Sequence, residues 1–270
     1  MQRYSLGERT KESVLRLRDV VYEPLVEPLL SVLFPPRCVG CGDFETYLCP
    51  SCRSDLVETG MDSCPRCGEP GPQVLVEGRC NWCMARQVEY AGAKGAFRHE
   101  GVARELVAKF KFGGQPILGR LMGELAKPSF DDFVESAGPR DRLVVTWVPC
   151  HPSSSRERGY NQAEVLSRWL TSGQAPLERM ALVRKRRSTR EQKTLSKLGR
   201  QHNLEGVFAV DQAAVRRIGQ HVQGIILVDD VFTTGATAGE VSTVLIKGTA
   251  LPVHVFTFSR VAAGTSERHD

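Results

Sequence analysis

Apolar positions along the chain fall into three regimes. From residue 91 onward, helical and extended spacings alternate. "GVARELVAKFKF" (101–112) sets Val102, Leu106, Val107 and Phe110 at three- and four-residue intervals. "PILGRLMGELA" (116–126) and "NQAEVLSRWLTS" (161–172) repeat that period, so all three read as helices. "RLVVTWVP" (142–149), "GIILVDD" (224–230) and "PVHVFTFSR" (252–260) are compact apolar runs of strand length, and "TAGEVSTVLIK" (237–247) is a helix between the last two. Such alternation predicts an α/β domain, a parallel sheet flanked by helices. Residues 35–90 differ: they hold eight of the nine cysteines, many turn residues and few aliphatics, too little for an ordinary apolar core. Residues 1–34 include "VVYEPLVEPLLSVLF", helical in spacing but interrupted by Pro24 and Pro28. Its polar face is not strongly basic, so it is expected to pack on the protein rather than lie on a membrane. The predicted organisation is an amphipathic helical lead-in (1–34), a cysteine-rich module (35–90) and the α/β domain (91–265).

Composition narrows the setting. No stretch approaches the roughly 18–20 uninterrupted apolar residues of a membrane span, so the chain is not expected to cross a bilayer. The start, "MQRYSLGERTKESVLRLRD", is charged and lacks the apolar core of a secretory signal, which points to the cytoplasm. In that reducing compartment clustered thiols bind metal more often than they form disulfides. The net charge of +5 is concentrated in one place. Residues 184–202, "RKRRSTREQKTLSKLGRQH", carry eight Lys/Arg and one Glu, 8 − 1 = +7, which leaves 5 − 7 = −2 for the rest. Residues 35–90 carry five Arg against eight Asp/Glu. The cysteine-rich module is therefore a poor surface for nucleic acid, whereas 184–202 is suited to phosphates.

The cysteines form four Cys-x-x-Cys knuckles: Cys38/Cys41, Cys49/Cys52, Cys64/Cys67 and Cys80/Cys83. Two intervening residues let two thiolates of one tight turn reach one ion. Zinc takes four such ligands at about 2.3 Å, so eight cysteines imply two closed, structural zinc sites. Sequential pairing is simplest, and a cross-braced arrangement has the same spacing. Cys150, alone after a strand, reads as a small buried hydrophobe.

"ILVDDVFTTGAT" (226–237) carries the most chemistry. An aliphatic strand meets two adjacent carboxylates, then a loop of small hydroxyl residues that opens a helix. At the carboxyl end of a parallel strand such a loop faces the ligand crevice. Thr233, Thr234, Gly235, Ala236 and Thr237 suit a phosphate monoester, through backbone N–H groups, hydroxyls and the helix N-terminus. The glycine–lysine pair of a Walker loop is absent. Asp229 and Asp230 would repel that phosphate unless they face vicinal sugar hydroxyls or a divalent cation. A ribose 5-phosphate with a metal-bound group fits both demands.

This stretch closely resembles the phosphoribosyl-pyrophosphate signature of the type I phosphoribosyltransferases. The resemblance implies that Asp229 and Asp230 hold the ribose hydroxyls and that 233–237 cradle the 5-phosphate. It also implies a pyrophosphate loop at Pro149, Cys150, His151 and Pro152, a hood loop at 184–202, and Mg2+ accompanying the ligand. Taken with "LLSVLFPPRCVGCG", "VPCHPSSSRERGYNQAEVLSRWL" and "RKRRSTREQKTLSKLGRQHNLEGVF", the order of motifs resembles the ComF family of competence-associated proteins over residues 25–262. Arg156, Arg158, Gly159, Tyr160, Asn161 and Gln162 match that family's arginine-Gly-aromatic-Asn-Gln motif. Thr189, Gln192, Leu195, Arg200 and Asn203 match the series in its basic loop. The resemblance implies a zinc module joined to a phosphoribosyltransferase fold and a role in DNA uptake during natural transformation, with a competence helicase and other uptake proteins as partners. Under that reading Arg184, Lys185, Arg186, Arg187, Arg190, Lys193, Lys197 and Arg200 contact single-stranded DNA, with Phe110, Phe112 or Tyr160 stacking on bases. The alternative is an active phosphoribosyltransferase using an unidentified nucleobase-like acceptor. His151 would then be the candidate proton-transfer group, and Arg156 and Arg158 would stabilise departing pyrophosphate. Two departures bear on that alternative. Ser153 and Ser154 stand where the family commonly has basic residues, and Thr233 stands where purine-salvage relatives place an acid.

Overall fold

A computed structural model describes residues 35–60, 62–71, 75–86, 88–150, 159–173, 177–186 and 206–262. The expectations for the lead-in 1–34, for His151, Arg156 and Arg158, and for the basic residues from Arg187 to Arg200 lie outside the described residues. The chain divides into two compact units, Met1–Arg53 and Ser54–Asp270.

In the first unit, an isolated bridge between Arg37 and Phe44 closes a knuckle turn, and the short helix α1 (Pro50–Ser54) carries Cys52. In the second, a turn at Cys64–Glu69 and the short helix α2 (Asn81–Met84) repeat that plan. Beyond them stand β1 (Gly92–Arg98), α3 (Gly101–Phe112), α4 (Ile117–Ala137), β2 (Leu143–Trp147), α5 (Gln162–Leu170) and β3 (Glu178–Arg179). Then follow β4 (Val183–Lys185), β5 (Phe208–Val210), α6 (Gln212–Val215), β6 (Gly224–Phe232), α7 (Ala236–Thr249) and β7 (Val253–Arg260).

Five strands form a wholly parallel sheet in the order β1-β7-β6-β2-β3, the α/β class expected. Ile225, Ile226, Leu227 and Val228 of β6 are fully buried, as a central strand covered on both faces requires. The strand does not stop at its acids. It continues through Asp229 and Asp230 to Phe232, with Asp229 opposite Thr257 and Phe232 opposite Arg260. Helix α4 also outruns its pattern, passing Pro128 to Ala137. Loss of one backbone donor is tolerated because Met122, Ala126, Phe130 and Phe133 continue a buried stripe, and Phe130 and Phe133 both pack on Phe256. Strand β1 has no β-branched run to announce it. It is specified by small residues pressed against β7.

From β6 the chain returns through α7 to β7 on one side, whereas from β2 it leaves through α5 to β3 on the other. The neighbours β2 and β6 thus send their carboxyl-end loops apart. That divergence opens the crevice in which open α/β sheets receive ligands. The start of the basic segment differs from the unfixed loop its composition suggests. Arg184 and Lys185 lie in β4, paired antiparallel with β5. Buried Val183 and Phe208 supply the apolar anchor that holds them there.

Candidate functional site

At the crevice, the end of β6 presents both acids. Asp230 is buried, and one of its carboxylate oxygens accepts a hydrogen bond from Lys111 Nζ of α3 at 2.8 Å. Asp229 is less enclosed, and its Oδ1 accepts from the Asp230 backbone N–H at 2.9 Å. Burial and the adjacent Asp230 carboxylate push the Asp229 carboxyl up to about 7, against the opposing charges of Lys111 and Lys185. Lys185 therefore acts on this crevice as well as belonging to the basic segment. His99, between β1 and α3, shares a hydrogen bond of 2.9 Å between its Nδ1 and Ser259 Oγ. Burial, then the charge of Lys111, brings His99 down to about 4, so it is neutral at physiological pH. Neither Lys111 nor His99 was singled out by sequence. Their only signal is position: one ends a helix, the other a strand, on the same side of the sheet.

The turn after β6 leads directly into the 14-residue α7. Thr233 is exposed, and Thr234, Gly235, Ala236 and Thr237 are partly so. The Thr234 hydroxyl accepts weakly from the Ala236 N–H at 3.4 Å. Across the switch point, the chain beyond β2 continues through half-buried Pro149 and Cys150, so Cys150 is less enclosed than the buried hydrophobe expected. The Asn161 side chain ties the far side of this loop down. It donates to the Val148 carbonyl at 3.1 Å and caps α5 by accepting from the Ala163 N–H at 3.1 Å. Tyr160 is tied as well, donating its hydroxyl to the Phe110 carbonyl while its ring packs on Phe110. Phe110 is fully buried, which overturns its candidacy for base stacking. Of the three candidate aromatics, Phe112 is the largely exposed one, at 76%.

The knuckles assemble sequentially. Cys38, Cys41, Cys49 and Cys52 form one tetrad and Cys64, Cys67, Cys80 and Cys83 the other, each with all sulfurs within 4.8 Å of one another. Adjacent pairs stand at 3.7 Å (Cys41–Cys49), 3.9 Å (Cys64–Cys83) and 3.5 Å (Cys67–Cys80). A tetrahedron with arms of about 2.3 Å has edges of about 3.8 Å, so the donor sets fit zinc. Backbone donors prepare each site. At Cys38 the N–H groups of Cys41, Cys49 and Gly40 outweigh burial and bring the thiol down to about 6. At Cys64 those of Cys67, Cys80 and Arg66 bring it to about 7.

The second tetrad has further support from β7. Arg260 is 1% exposed, donates to Glu69 Oε2 at 2.9 Å, and leaves Nε and Nη1 with no hydrogen-bond partner among the described residues. Its charge favours the Cys67 thiolate against burial. A buried cation suits a four-thiolate zinc centre, whose net charge is about −2.

Comparison with known proteins agrees with these features. Residues 29–84 match the family model of the double zinc ribbon domain. Competence protein F of Haemophilus influenzae is 26% identical over 216 residues, 78% of this chain and 91% of its own. Competence protein ComFC of Bacillus subtilis is 26% identical over 221 residues, 79% and 84% respectively. DNA utilization protein YhgH of Escherichia coli K12 is 26% identical over 219 residues, 79% and 90%. The likeness to competence proteins expected from the motifs thus extends over most of the chain, and both tetrads lie within the double zinc ribbon match as structural zinc sites. No helix among the described residues is long and apolar enough to cross a membrane.

Proposed function

We propose that this chain acts in DNA uptake during natural transformation, binding phosphoribosyl pyrophosphate with Mg2+ at the end of β6 and single-stranded DNA through residues 184–202. The names of its relatives support the DNA-related role. One observation carries the ligand: Asp229, Asp230 and the Thr233–Gly235 turn occupy the carboxyl end of the central strand, beside the point where β2 and β6 part. Vicinal ribose hydroxyls would donate to the two carboxylates, and the 5-phosphate would accept from the turn and the start of α7. Lys111, 2.8 Å from Asp230, would hold that carboxylate in place for the ligand. Mg2+, arriving with the ligand, would neutralise pyrophosphate charge.

Calorimetric titration of the full chain with phosphoribosyl pyrophosphate, with and without magnesium, tests the ligand. Saturable binding that weakens without magnesium is expected, and no heat or competition at millimolar ligand would sink the assignment. Release of pyrophosphate with nucleobase acceptors separates turnover from binding. For DNA, each phosphate contacted on a single strand contributes about −0.7 to the slope of log K against log salt. Replacing Arg184, Lys185, Arg186 and Arg187 with Ala should flatten that slope by about 2–3. An unchanged slope removes this segment from DNA binding. A competence helicase is the protein partner this reading calls for.

A further inference from the structure

The geometry points to Trp82 of the second zinc ribbon as the strut that holds the Phe232–Gly235 turn in its ligand-receiving shape, through a tilted ring contact with Phe232 and a cation–π contact with Arg260. This inference rests on the ribose-phosphate reading of that turn for its functional meaning, though not for its geometry. Trp82 stands between Asn81 and the zinc ligand Cys83 in α2, so its backbone is fixed by the metal site. Its ring lies 6.0 Å from that of Phe232, the last residue of β6. The Arg260 guanidinium sits over both rings, 4.1 Å from the Phe232 centroid and 5.0 Å from that of Trp82. Arg260 is held in turn by Glu69, which follows the second tetrad's first knuckle. Phe232 is 3% exposed and Tyr90 meets its ring edge-on.

The contact extends into the turn itself. Gly235 has φ +73, and a Cβ there would come within 2.6 Å of Phe232 Cζ and 3.3 Å of Trp82 Cη2. The turn is thus folded against the indole with no space for a side chain, and α7 begins at the next residue. A loop of Thr, Thr and Gly has little apolar surface to fix its own shape. Here the shape is borrowed from a metal-anchored aromatic. Occupancy of the second zinc site, through the placement of Trp82, then governs how well the turn receives a phosphate.

The test uses the full-length, zinc-loaded protein and its Trp82→Ala variant. Trp82→Ala removes both the aromatic contact with Phe232 and the cation–π contact with Arg260. Trp82→Ala should therefore keep two zinc ions and a cooperative melt while raising amide hydrogen exchange at residues 233–238 at least about tenfold. Affinity for phosphoribosyl pyrophosphate should fall by a similar factor, and Trp82→Phe should restore part of both. Exchange at 233–238 unchanged in a two-zinc Trp82→Ala protein overturns the strut. If Trp82→Ala loses zinc, the two-zinc Trp82→Phe protein decides by the same exchange measurement, with intermediate protection expected and wild-type protection overturning. Should wild type bind no phosphoribosyl pyrophosphate, the proposed function fails while the exchange comparison still decides the strut.

Discussion

The two cysteine tetrads begin from one sequence plan and end in different physical situations. "CVGCGD" (38–43) and "CPRCGE" (64–69) share the knuckle, the glycine and the following acid. Both fold the same way. The Cys38 N–H donates to the Asp43 carbonyl at 2.7 Å and the Gly42 N–H to the Cys38 carbonyl at 2.9 Å; the Cys64 and Gly68 N–H groups make the matching bonds at 2.9 and 2.7 Å. There the likeness stops. Cys41 is exposed and Cys49 half-buried, whereas all four cysteines of the second tetrad are buried within the apolar core that also contains β2 and β6. Asp43 is exposed, but its counterpart Glu69 is buried against Arg260. A Cβ on Gly68 would come within 2.6 Å of the Ala93 carbonyl oxygen, so that knuckle backbone lies directly on β1. Identical ligand chemistry serves a local turn in one case and the end of a sheet in the other.

The largest test of this contrast is Cys67→Ser. Structural zinc contributes on the order of 10 kcal/mol to the segment it folds, and here that segment is part of the main core. The expected result is loss of the main cooperative melt together with one zinc. A variant that keeps one zinc and the wild-type melting temperature would show that the second site is as local as the first. Next in size is Arg260→Met, which removes the buried Arg260–Glu69 ion pair and should cost about 3–5 kcal/mol. Adding Glu69→Gln should recover part of that loss in chemical denaturation. Equal stability of single and double variants would mean that the pair does not couple strand to ribbon.

A smaller effect is expected from Cys41→Ser. One zinc should be lost, with the main transition moved by less than about 1 kcal/mol. A large shift would erase the difference between the tetrads. The remaining test concerns pH at the sheet end that the second ribbon supports. Asp229 is raised from an ordinary 3.8 to about 7, so the folded state holds this proton more tightly than the unfolded chain. Its contribution is fully present below about pH 4 and is lost as pH rises through about 7. The melting-temperature difference between wild type and Asp229→Asn should therefore move steadily against wild type as pH rises across that window. A pH-independent difference would mean that Asp229 is ionised throughout.

Most of the main elements were legible because one period dominated each: the aliphatic run of β6, the stripe of α3, the four repeated knuckles. The acids and the turn after them could be placed at a strand end for the same reason. What was not legible depends on contacts distant in sequence. Lys111 reaches Asp230 only because α3 ends over the carboxyl edge of the sheet. Strand β1 is Gly- and Ala-rich because Arg260 lies against Gly95, where an added Cβ would come within 2.7 Å of the Arg260 Cβ. The four knuckles of 35–90 mark a double zinc ribbon, but not how differently its two tetrads are buried. Phe110 looked available for stacking because a helical stripe shows its hydrophobicity but not what covers it.

The Glu69–Arg260 pair has a consequence for how this chain can vary. Replacing either residue alone breaks a buried ion pair, so a neutral substitution at one favours a matching change at the other. Any lineage that sheds the second set of cysteines must also give up Arg260, whose orphaned guanidinium nitrogens would then face no thiolates. Asp43 carries no such obligation. Descendants of this sequence should therefore drift freely at the sixth position of the first repeat, while at the second the acid, the arginine and four cysteines are kept or discarded as a set.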